Sequence, residues 1–187
     1  MGMGEPFLNY DNVLGAIKIL NDKDGFNIGA RHISISTVGI VEGIKKLSEN
    51  PLQVNLAISL HAAKDSLRSE IMPINKTQPL KSVLKAVESY FETTRRKVMF
   101  EYIMIAGVND SLEKARELAE LLTGLKSTAF MVNLISYNPT GIFKASSPEQ
   151  IKEFKKILQE QGIEVTERFR FGQGIKAACG QLVTDKN

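Results

Sequence analysis

Strand-like and helix-like segments alternate along almost the whole chain, and this alternation constrains the fold more than any other feature. Runs of β-branched and apolar residues predict five strands. We place them at residues 31–36, 54–60, 97–105, 128–135 and 163–171. Apolar residues at helical spacing predict helices between them. Such alternation is typical of a parallel sheet with right-handed crossovers, open or barrel-like. We therefore expect an α/β fold that forms a single domain over residues 1–187.

Local signals predict where two of the helices begin and end. Ser147-Pro148-Glu149-Gln150 combines an N-cap serine, a proline at the first helical position and a glutamine at the capping-box position. Asp110 and Glu113 predict a second capping box, for a helix over residues 112–122 that Gly124 would end.

The composition is that of an ordinary folded protein, and it excludes several kinds of site. With 43% hydrophobic and 24% charged residues, the chain is neither disordered nor collagen-like. No run approaches the ~18 to 20 apolar residues of a membrane span, and no signal peptide precedes the fold, so we expect a cytoplasmic protein. The single cysteine, Cys179, excludes a disulfide framework and any self-contained Cys-ligated zinc or iron–sulfur site. The net charge of +3 permits a nucleic-acid partner without indicating one.

Polar and glycine-containing clusters follow the predicted strands, which is where parallel α/β folds bind their ligands. We expect four of them to converge on one rim: Ser36-Thr37-Val38-Gly39, Ser59-Leu60-His61, Gly107-Val108-Asn109 and Tyr137-Asn138-Pro139. A fifth cluster, Gly2-Met3-Gly4-Glu5-Pro6, lets the backbone approach a ligand closely, and its carboxylate can accept from an ammonium group.

Each of these residues also has a structural interpretation, and the residues alone leave it open. The early glycines are compatible with a flexible segment, Ser36 with a helix-capping hydroxyl and Asn138 with a turn. His61 is compatible with a hydrogen-bonded structural histidine. Cys179 is compatible with a small buried hydrophobic residue, although nearby lysine and arginine side chains would favour a reactive thiolate.

Seven segments, taken in order along the chain, carry a family signature. They are MGMGEPFLNY at 1–10, RHISISTVG at 31–39, LAISLHA at 56–62, MPINK at 72–76, EYIMIAGVNDS at 101–111, VNLISYNP at 132–139 and AACGQL at 177–182. Together they resemble the RlmN-type methyltransferases, radical-SAM enzymes that methylate carbon 2 of adenine in 23S ribosomal RNA and tRNA. The Gly-Glu-Pro run and residues 72–76 favour this family over the related Cfr enzymes, which methylate carbon 8.

The resemblance implies a fold, a cosubstrate and a set of site residues. The fold would be the later part of a partial (β/α)6 radical-SAM TIM-like barrel. Gly4 and Glu5 would contact the amino group of S-adenosylmethionine, and Cys179 would carry the methyl group. The rest of the cosubstrate would be held by Ser36, Ser59, Leu60, His61 and Asn138. The implied partners are 23S rRNA and tRNA, with no membrane.

The implied chemistry needs more cysteines than this chain has. In the family's route a cysteine takes a methyl group from one S-adenosylmethionine, and a [4Fe–4S] cluster cleaves a second one reductively. Three cluster ligands in a C-x₃-C-x₂-C run, a methyl carrier and a resolving cysteine make five, whereas this chain has one. We therefore expect the carboxyl-terminal portion of a longer enzyme, which ligates no cluster and is inactive alone. Where earlier barrel units belong, an unpaired strand edge would favour self-association.

Other functions stay open at this point. The chain can be a non-catalytic module that binds S-adenosylmethionine or RNA, or part of a Cfr-like carbon-8 methyltransferase conferring antibiotic resistance. A third interpretation is a small phosphate-handling enzyme that uses His61 and Glu101. Six basic residues are candidates for contacts with RNA phosphates: Arg95, Arg96, Lys97, Lys144, Arg168 and Arg170.

Overall fold

A five-stranded parallel sheet forms the centre of the computed structural model, which describes residues 4–125, 127–138 and 142–168. The strands are β1 (Ser34–Thr37), β2 (Asn55–Ser59), β3 (Val98–Met104), β4 (Phe130–Ser136) and β5 (Val165–Glu167). Their spatial order is β1-β2-β3-β4-β5, so each strand pairs with its neighbours along the chain. Barrel strands follow one another in this way, whereas a doubly wound sheet reverses its order at a switch point. The prediction of an α/β fold with five β-units is confirmed.

Six α-helices accompany these strands in the described part of the chain. They are α1 (Tyr10–Asn21), α2 (Val41–Ser48), α3 (Asp65–Ile71), α4 (Leu80–Thr94), α5 (Leu112–Thr123) and α6 (Pro148–Glu160). Helix α6 begins after the predicted N-cap, because Ser147 Oγ accepts a hydrogen bond from Gln150 N at 3.1 Å. The Gln150 side chain does not complete the capping box, because its Nε2 donates to Asp110 O at 2.6 Å. Among the described residues no helix is long and apolar enough to cross a membrane.

The predicted capping box at Asp110 and Glu113 is wrong. Ser111 caps α5, and its hydroxyl accepts from Lys114 N at 3.3 Å. The Asp110 carboxylate is used differently, because Oδ1 accepts from Gly107 N at 2.9 Å and Oδ2 accepts from Ser146 Oγ at 2.7 Å. It therefore ties the turn after β3 to the loop after β4.

The first and last strands are shorter than the sequence predicts. Residues Ala30–His32 form a 3₁₀ turn closed by the Ile33 N to Ala30 O hydrogen bond at 3.0 Å, so β1 begins only at Ser34. Strand β5 covers Val165–Glu167, and the predicted continuation at 169–171 lies outside the described residues.

The two faces of the sheet differ in composition, because successive side chains along a strand point to opposite faces. On one face, apolar strand residues such as Ile58, Phe100 and Leu134 join helix residues such as Val83 and Phe154 in a single core. The register places a different set on the other face, which we call the inner face. Its members include Ser36, Ala57, Ser59, Met99, Glu101, Ile103, Met131, Asn133, Ile135 and Thr166.

Candidate functional site

A carboxylate near the start of the described chain binds the loop that follows β1. Glu5 Oε1 accepts from Thr37 Oγ1 at 2.6 Å and from Phe7 N at 3.1 Å, while Oε2 accepts from Val38 N at 2.8 Å. An ionised carboxylate offers about four acceptor positions, so three are used internally and one stays available for a ligand. Gly4 precedes it with φ +79°, in the left-handed region, and no heavy atom lies within 4 Å of the place a Cβ would take. Backbone at this point is therefore open to close approach.

Thr37, and not Ser36, closes the turn between β1 and the helix that follows it. The Thr37 hydroxyl accepts from Gly39 N at 3.1 Å and Ile40 N at 3.4 Å, just before α2 begins. Ser36 is half-buried on the inner face, opposite Ala57 of the neighbouring strand. Ser36 therefore does not cap α2, and neither does Thr37, because this helix has no side-chain cap.

Arg68 in α3 joins three loops from a position with no exposed surface. Nε donates to Leu60 O at 3.0 Å. The two terminal nitrogens donate to four further oxygens: Val38 O at 2.7 Å, Ser59 O at 3.0 Å, Asn75 Oδ1 at 2.6 Å and Gln78 O at 3.1 Å. A guanidinium has five N–H groups, so each of them has an acceptor. The loops after β1 and β2 are thereby held together.

The charge of Arg68 is stabilised by oxygen dipoles. Burial lowers the pKa of Arg68 to about 10, and the negative charge of Asp65 opposes that shift. At this pKa the guanidinium is protonated at neutral pH. Asp65 itself is occupied elsewhere, since its Oδ1 accepts from Asn75 Nδ2 at 2.9 Å and from Leu80 N at 2.9 Å.

His61, the second residue after β2, has its ring nitrogen Nδ1 fixed as an acceptor. Its backbone has φ +62°, and Nδ1 accepts from Ile103 N at 3.1 Å. Burial and then the positive charge of Arg68 lower the pKa of His61 to about 4. The ring is therefore neutral at pH 7 with its proton on Nε2, which makes His61 a hydrogen-bond donor and a poor general base.

Asn109 connects the loop after β3 to the same group. Its Nδ2 donates to His61 O at 2.9 Å and to Ile103 O at 2.7 Å, and its Oδ1 accepts from Ile105 N at 2.8 Å. Tyr102 Oη donates to the Asn109 carbonyl at 2.8 Å. Three of the four clusters, those after β1, β2 and β3, therefore converge at the carboxyl edge of the sheet as expected, and the convergence of the fourth stays a prediction.

The remaining predicted site residues are Leu60, Ser59, Asn138 and Cys179. Leu60 is buried, and its N–H donates to Glu101 O at 3.0 Å. Ser59 ends β2 on the inner face, half-buried, while Asn138 is buried two residues beyond the end of β4. Cys179 lies outside the described residues, so its predicted role stays a prediction.

The structure does not gather the basic residues proposed for RNA contact. Arg95, Arg96 and Lys97 precede β3 and lie at the amino end of the strands, away from the converging loops. Lys97 pairs there with Glu164 at 2.6 Å. Lys144 and Arg168 follow strands β4 and β5, and Arg170 is outside the described residues.

Comparison with known proteins assigns the family. The model of the radical SAM superfamily matches residues 1–122, about two thirds of the chain. The chain belongs to the radical SAM superfamily. A probable dual-specificity RNA methyltransferase RlmN from Caldicellulosiruptor saccharolyticus is 54% identical over 184 residues, covering 97% of this chain and 53% of that protein. The ribosomal RNA large subunit methyltransferase N of Nitrosopumilus maritimus is 49% identical over 186 residues, covering 99% and 52%. The chain spans about half the length of these relatives.

Solved structures agree on the fold. A radical SAM methyltransferase from Sphaerobacter thermophilus superposes with a TM-score of 0.93 at 46% identity, over 99% of this chain and 54% of that chain. A domain of a pyruvate-formate lyase-activating enzyme from Bacteroides vulgatus superposes with a TM-score of 0.66 at 19% identity, over 89% and 96%, and shows the fold alone. The resemblance to RlmN-type radical SAM methyltransferases is confirmed.

The residues present fit part of what a radical SAM protein binds. The remaining acceptor position of Glu5, the open space beside Gly4 and the inner-face serines Ser36 and Ser59 suit the ammonium and carboxylate of S-adenosylmethionine. They do not fit the [4Fe–4S] cluster that the family also implies. The sequence has one cysteine, and the described residues hold no group of three or more potential metal ligands.

Three positioning residues were not predicted from the sequence: Arg68, Thr37 and Asn109. The Arg68 acceptors are mostly backbone carbonyls, up to 30 positions away, and a carbonyl leaves no mark in the residue pattern. The sequence signal for Arg68 was a basic residue among the apolar positions of a short helix. Thr37 and Asn109 belong to the polar clusters that follow the predicted strands, but nothing in those clusters indicated which side chain would bind a neighbouring loop.

Proposed function

We propose that this chain forms the cosubstrate-binding and methyl-carrying part of a radical SAM methyltransferase that modifies carbon 2 of adenosine in 23S rRNA and tRNA. The superfamily match and the relatives named as RNA methyltransferases support the reaction class. The observation that carries the proposal is the set of loops bound together by Glu5, Arg68 and Asn109, because it places the matching residues Gly4, Glu5 and Ser59–His61 at one edge of the sheet.

The proposed roles follow from the groups that each residue offers. Glu5 accepts from the ammonium group of the cosubstrate through its remaining acceptor position. Ser36 and Ser59 supply hydroxyl donors for the carboxylate, and Asn138 contributes to holding the rest of the cosubstrate. His61 is neutral, so it adds an Nε2–H donor without adding charge beside a cationic sulfonium.

Cys179 is proposed to receive the methyl group. Its thiolate sulfur forms a bond to the methyl carbon while the bond from that carbon to the sulfonium sulfur breaks, and S-adenosylhomocysteine leaves. When bound, S-adenosylmethionine supplies the methyl group and, with a reduced [4Fe–4S] cluster ligated outside this chain, the radical chemistry that an unreactive aromatic carbon requires. The contribution of this chain is to orient both molecules and exclude water.

The test compares the chain alone with a fusion. The upstream half of the Caldicellulosiruptor saccharolyticus relative is joined to residue 1, and both proteins are treated anaerobically with iron, sulfide, reductant and S-adenosylmethionine. We expect the fusion to produce 2-methyladenosine in a 23S rRNA fragment, measured by mass spectrometry of nucleosides. The chain alone should be colourless and produce none, and the Cys179→Ala fusion should also be inactive.

Each alternative has its own result in this assay. An 8-methyladenosine product would indicate the carbon-8 reaction. Binding of S-adenosylmethionine or RNA by a fusion that never methylates would favour the non-catalytic module. Methylation by the 187-residue chain alone would contradict the proposed division of labour. In the cell we propose that the protein acts in the cytoplasm, where its RNA substrates are.

A further inference from the structure

A row of polar side chains crosses the inner face next to the candidate site. The register aligns Ser59 of β2, Glu101 of β3, Asn133 of β4 and Thr166 of β5 at one level of the sheet. Ser59 is one of the residues proposed to hold the cosubstrate, so the row begins where a ligand is already expected. At its other end Thr166 is exposed, so the row leads from the interior to the solvent.

Glu101 carries a buried carboxylate oxygen that lacks a hydrogen bond. The side chain is only 6% exposed, and no donor reaches Oε2 among the described residues. Arg168 Nη1 stands 3.5 Å from that oxygen as an ion pair, and the Arg168 side chain is itself 38% exposed. Burial raises the pKa of Glu101 and the charge of Arg168 opposes the shift. A buried carboxylate oxygen of this kind is stabilised by an N–H donor.

The neighbouring amide is oriented so that it presents a donor beside this acceptor. Thr166 Oγ1 donates to Asn133 Oδ1 at 2.9 Å, which turns Nδ2 toward Glu101. Asn133 Nδ2 donates to Glu101 Oε1 over a long 3.4 Å. An amide nitrogen has two protons, so a second one stays available next to the Oε2 acceptor.

Beside Glu101 and Asn133, the rows above and below the polar row are apolar or soft, and Ser36 lies farther along the amino-side row, next to Ala57. Ala57, Met99 and Met131 align on the amino side, and Ile103 pairs with Ile135 on the carboxyl side. Methionine and branched aliphatic side chains pack well against the face of an aromatic ring. The inner face thus offers an acceptor and a donor side by side between surfaces that suit a flat ligand.

We propose that Glu101 and Asn133 bind the edge of an adenine, with the carboxylate accepting from the exocyclic amino group and the amide donating to the adjacent ring nitrogen. Adenine presents this donor–acceptor pair, whereas hypoxanthine presents an oxygen and a protonated nitrogen in the same places. The inference rests on the proposed function, which supplies two adenines: that of the cosubstrate and that of an extruded RNA base. The pair is a specificity determinant for one of them.

The test measures base preference in binding, separately from methylation. The 187-residue chain is titrated by NMR with S-adenosylhomocysteine and S-inosylhomocysteine, and with a single-stranded RNA carrying one adenosine or one inosine. We expect the wild-type chain to prefer adenine by about tenfold or more in one arm. A preference in the homocysteine arm assigns the pair to the cosubstrate, and a preference in the RNA arm assigns it to the target base.

The variants identify the residues responsible. Glu101→Gln should bring the preference to within about twofold, because its amide can donate to the hypoxanthine oxygen. Glu164→Gln makes the same chemical change at an exposed position and should leave the preference intact. Thr166→Val, which releases the Asn133 amide, should reduce it in a chain that stays folded by circular dichroism.

Some results would overturn the inference. These are a wild-type chain that binds neither base or binds both equally, a preference that survives Glu101→Gln, and a preference that is unchanged in Thr166→Val. If the fusion methylates RNA but the variants leave the base preference of the chain unchanged, this inference is wrong and the proposed function stands. If the chain prefers adenine but the fusion does not methylate RNA, this inference stands and the proposed function is wrong.

Discussion

At the scale of single residues, the candidate site depends on side chains that bind its loops to one another. Arg68 uses all five of its N–H groups on loop oxygens. Glu5 uses two of its four acceptor positions on Thr37 and Val38 and a third on Phe7 N. The sequence predicted the loops that carry the candidate ligand contacts. It did not predict their mutual binding, because that depends on backbone carbonyls and on contacts between distant positions.

Arg68→Met should lower the free energy of unfolding by about 3 kcal/mol or more, because it leaves several buried oxygens without donors. Urea denaturation followed by circular dichroism measures the change. Arg116→Met is the matched control, since Arg116 is exposed on α5 and should change stability by less than about 0.5 kcal/mol. A loss of stability below about 1 kcal/mol in Arg68→Met would show that Arg68 does not hold the three loops together.

His61 should make the chain less stable in mild acid. Its folded pKa of about 4 lies below the usual 6.5, so the unfolded chain binds the proton first and stability falls as the pH drops from 6.5 to 4. The expected loss is about 3 kcal/mol across that interval.

The variant His61→Asn should remove this part of the pH dependence. Asparagine tolerates the left-handed backbone and offers Oδ1 to Ile103 N in place of Nδ1, without titrating. Urea denaturation at pH 7 and pH 4.5 measures the difference. His32→Asn, at the exposed histidine, is the control, and an equal acid sensitivity in wild type and His61→Asn would show that His61 is not its source.

At the scale of elements, short-range signals predicted boundaries well and long-range contacts altered them. The Ser147 cap acts over three residues and was predicted. Asp110 was predicted to cap α5, but its carboxylate accepts from Ser146 in a distant loop. The approach of α2 to the segment before α1 is a second long-range contact. A Cβ on Gly43 would clash with the Phe7 side chain, so α2 needs a glycine there.

Gly43→Ala should therefore destabilise the chain by about 1 to 3 kcal/mol, although alanine is the better helix former. It should also disturb the Glu5 contacts, since Phe7 N donates to that carboxylate. Gly15→Ala in α1 is the control, because nothing lies within 4 Å of its Cβ position, and it should stabilise by about 0.5 to 1 kcal/mol. Equal effects at the two positions, measured by thermal melting, would contradict this packing.

At the scale of the whole molecule, the alternation of elements predicted a parallel sheet and left open whether it is open or barrel-like, and the barrel was expected only from the family resemblance. The observed sequential order leaves β1 at an edge of the described sheet. The described sheet contains no further strand that pairs with that edge. The expectation of self-association belongs here, because an unpaired strand edge offers free N–H and C=O groups.

Light scattering at rising concentration should show the wild-type chain forming dimers or larger species. Ser34→Lys places a charge on the exposed first residue of β1 and should shift the population toward monomer. Ser89→Lys adds the same charge at an exposed position of α4 and should leave association unchanged. A wild-type monomer at high concentration would contradict the expectation.

The attachment of three loops to one guanidinium has a consequence for how this edge opens. A loop that leaves Arg68 alone leaves the N–H groups that bound it buried without acceptors, so the opening of one loop without the others is unfavourable. Deuterium uptake should therefore begin at one common opening free energy for the amides of Gly39, Leu60 and Gln78, in three separate stretches of chain. The edge then behaves as one cooperative unit, either assembled or locally unfolded.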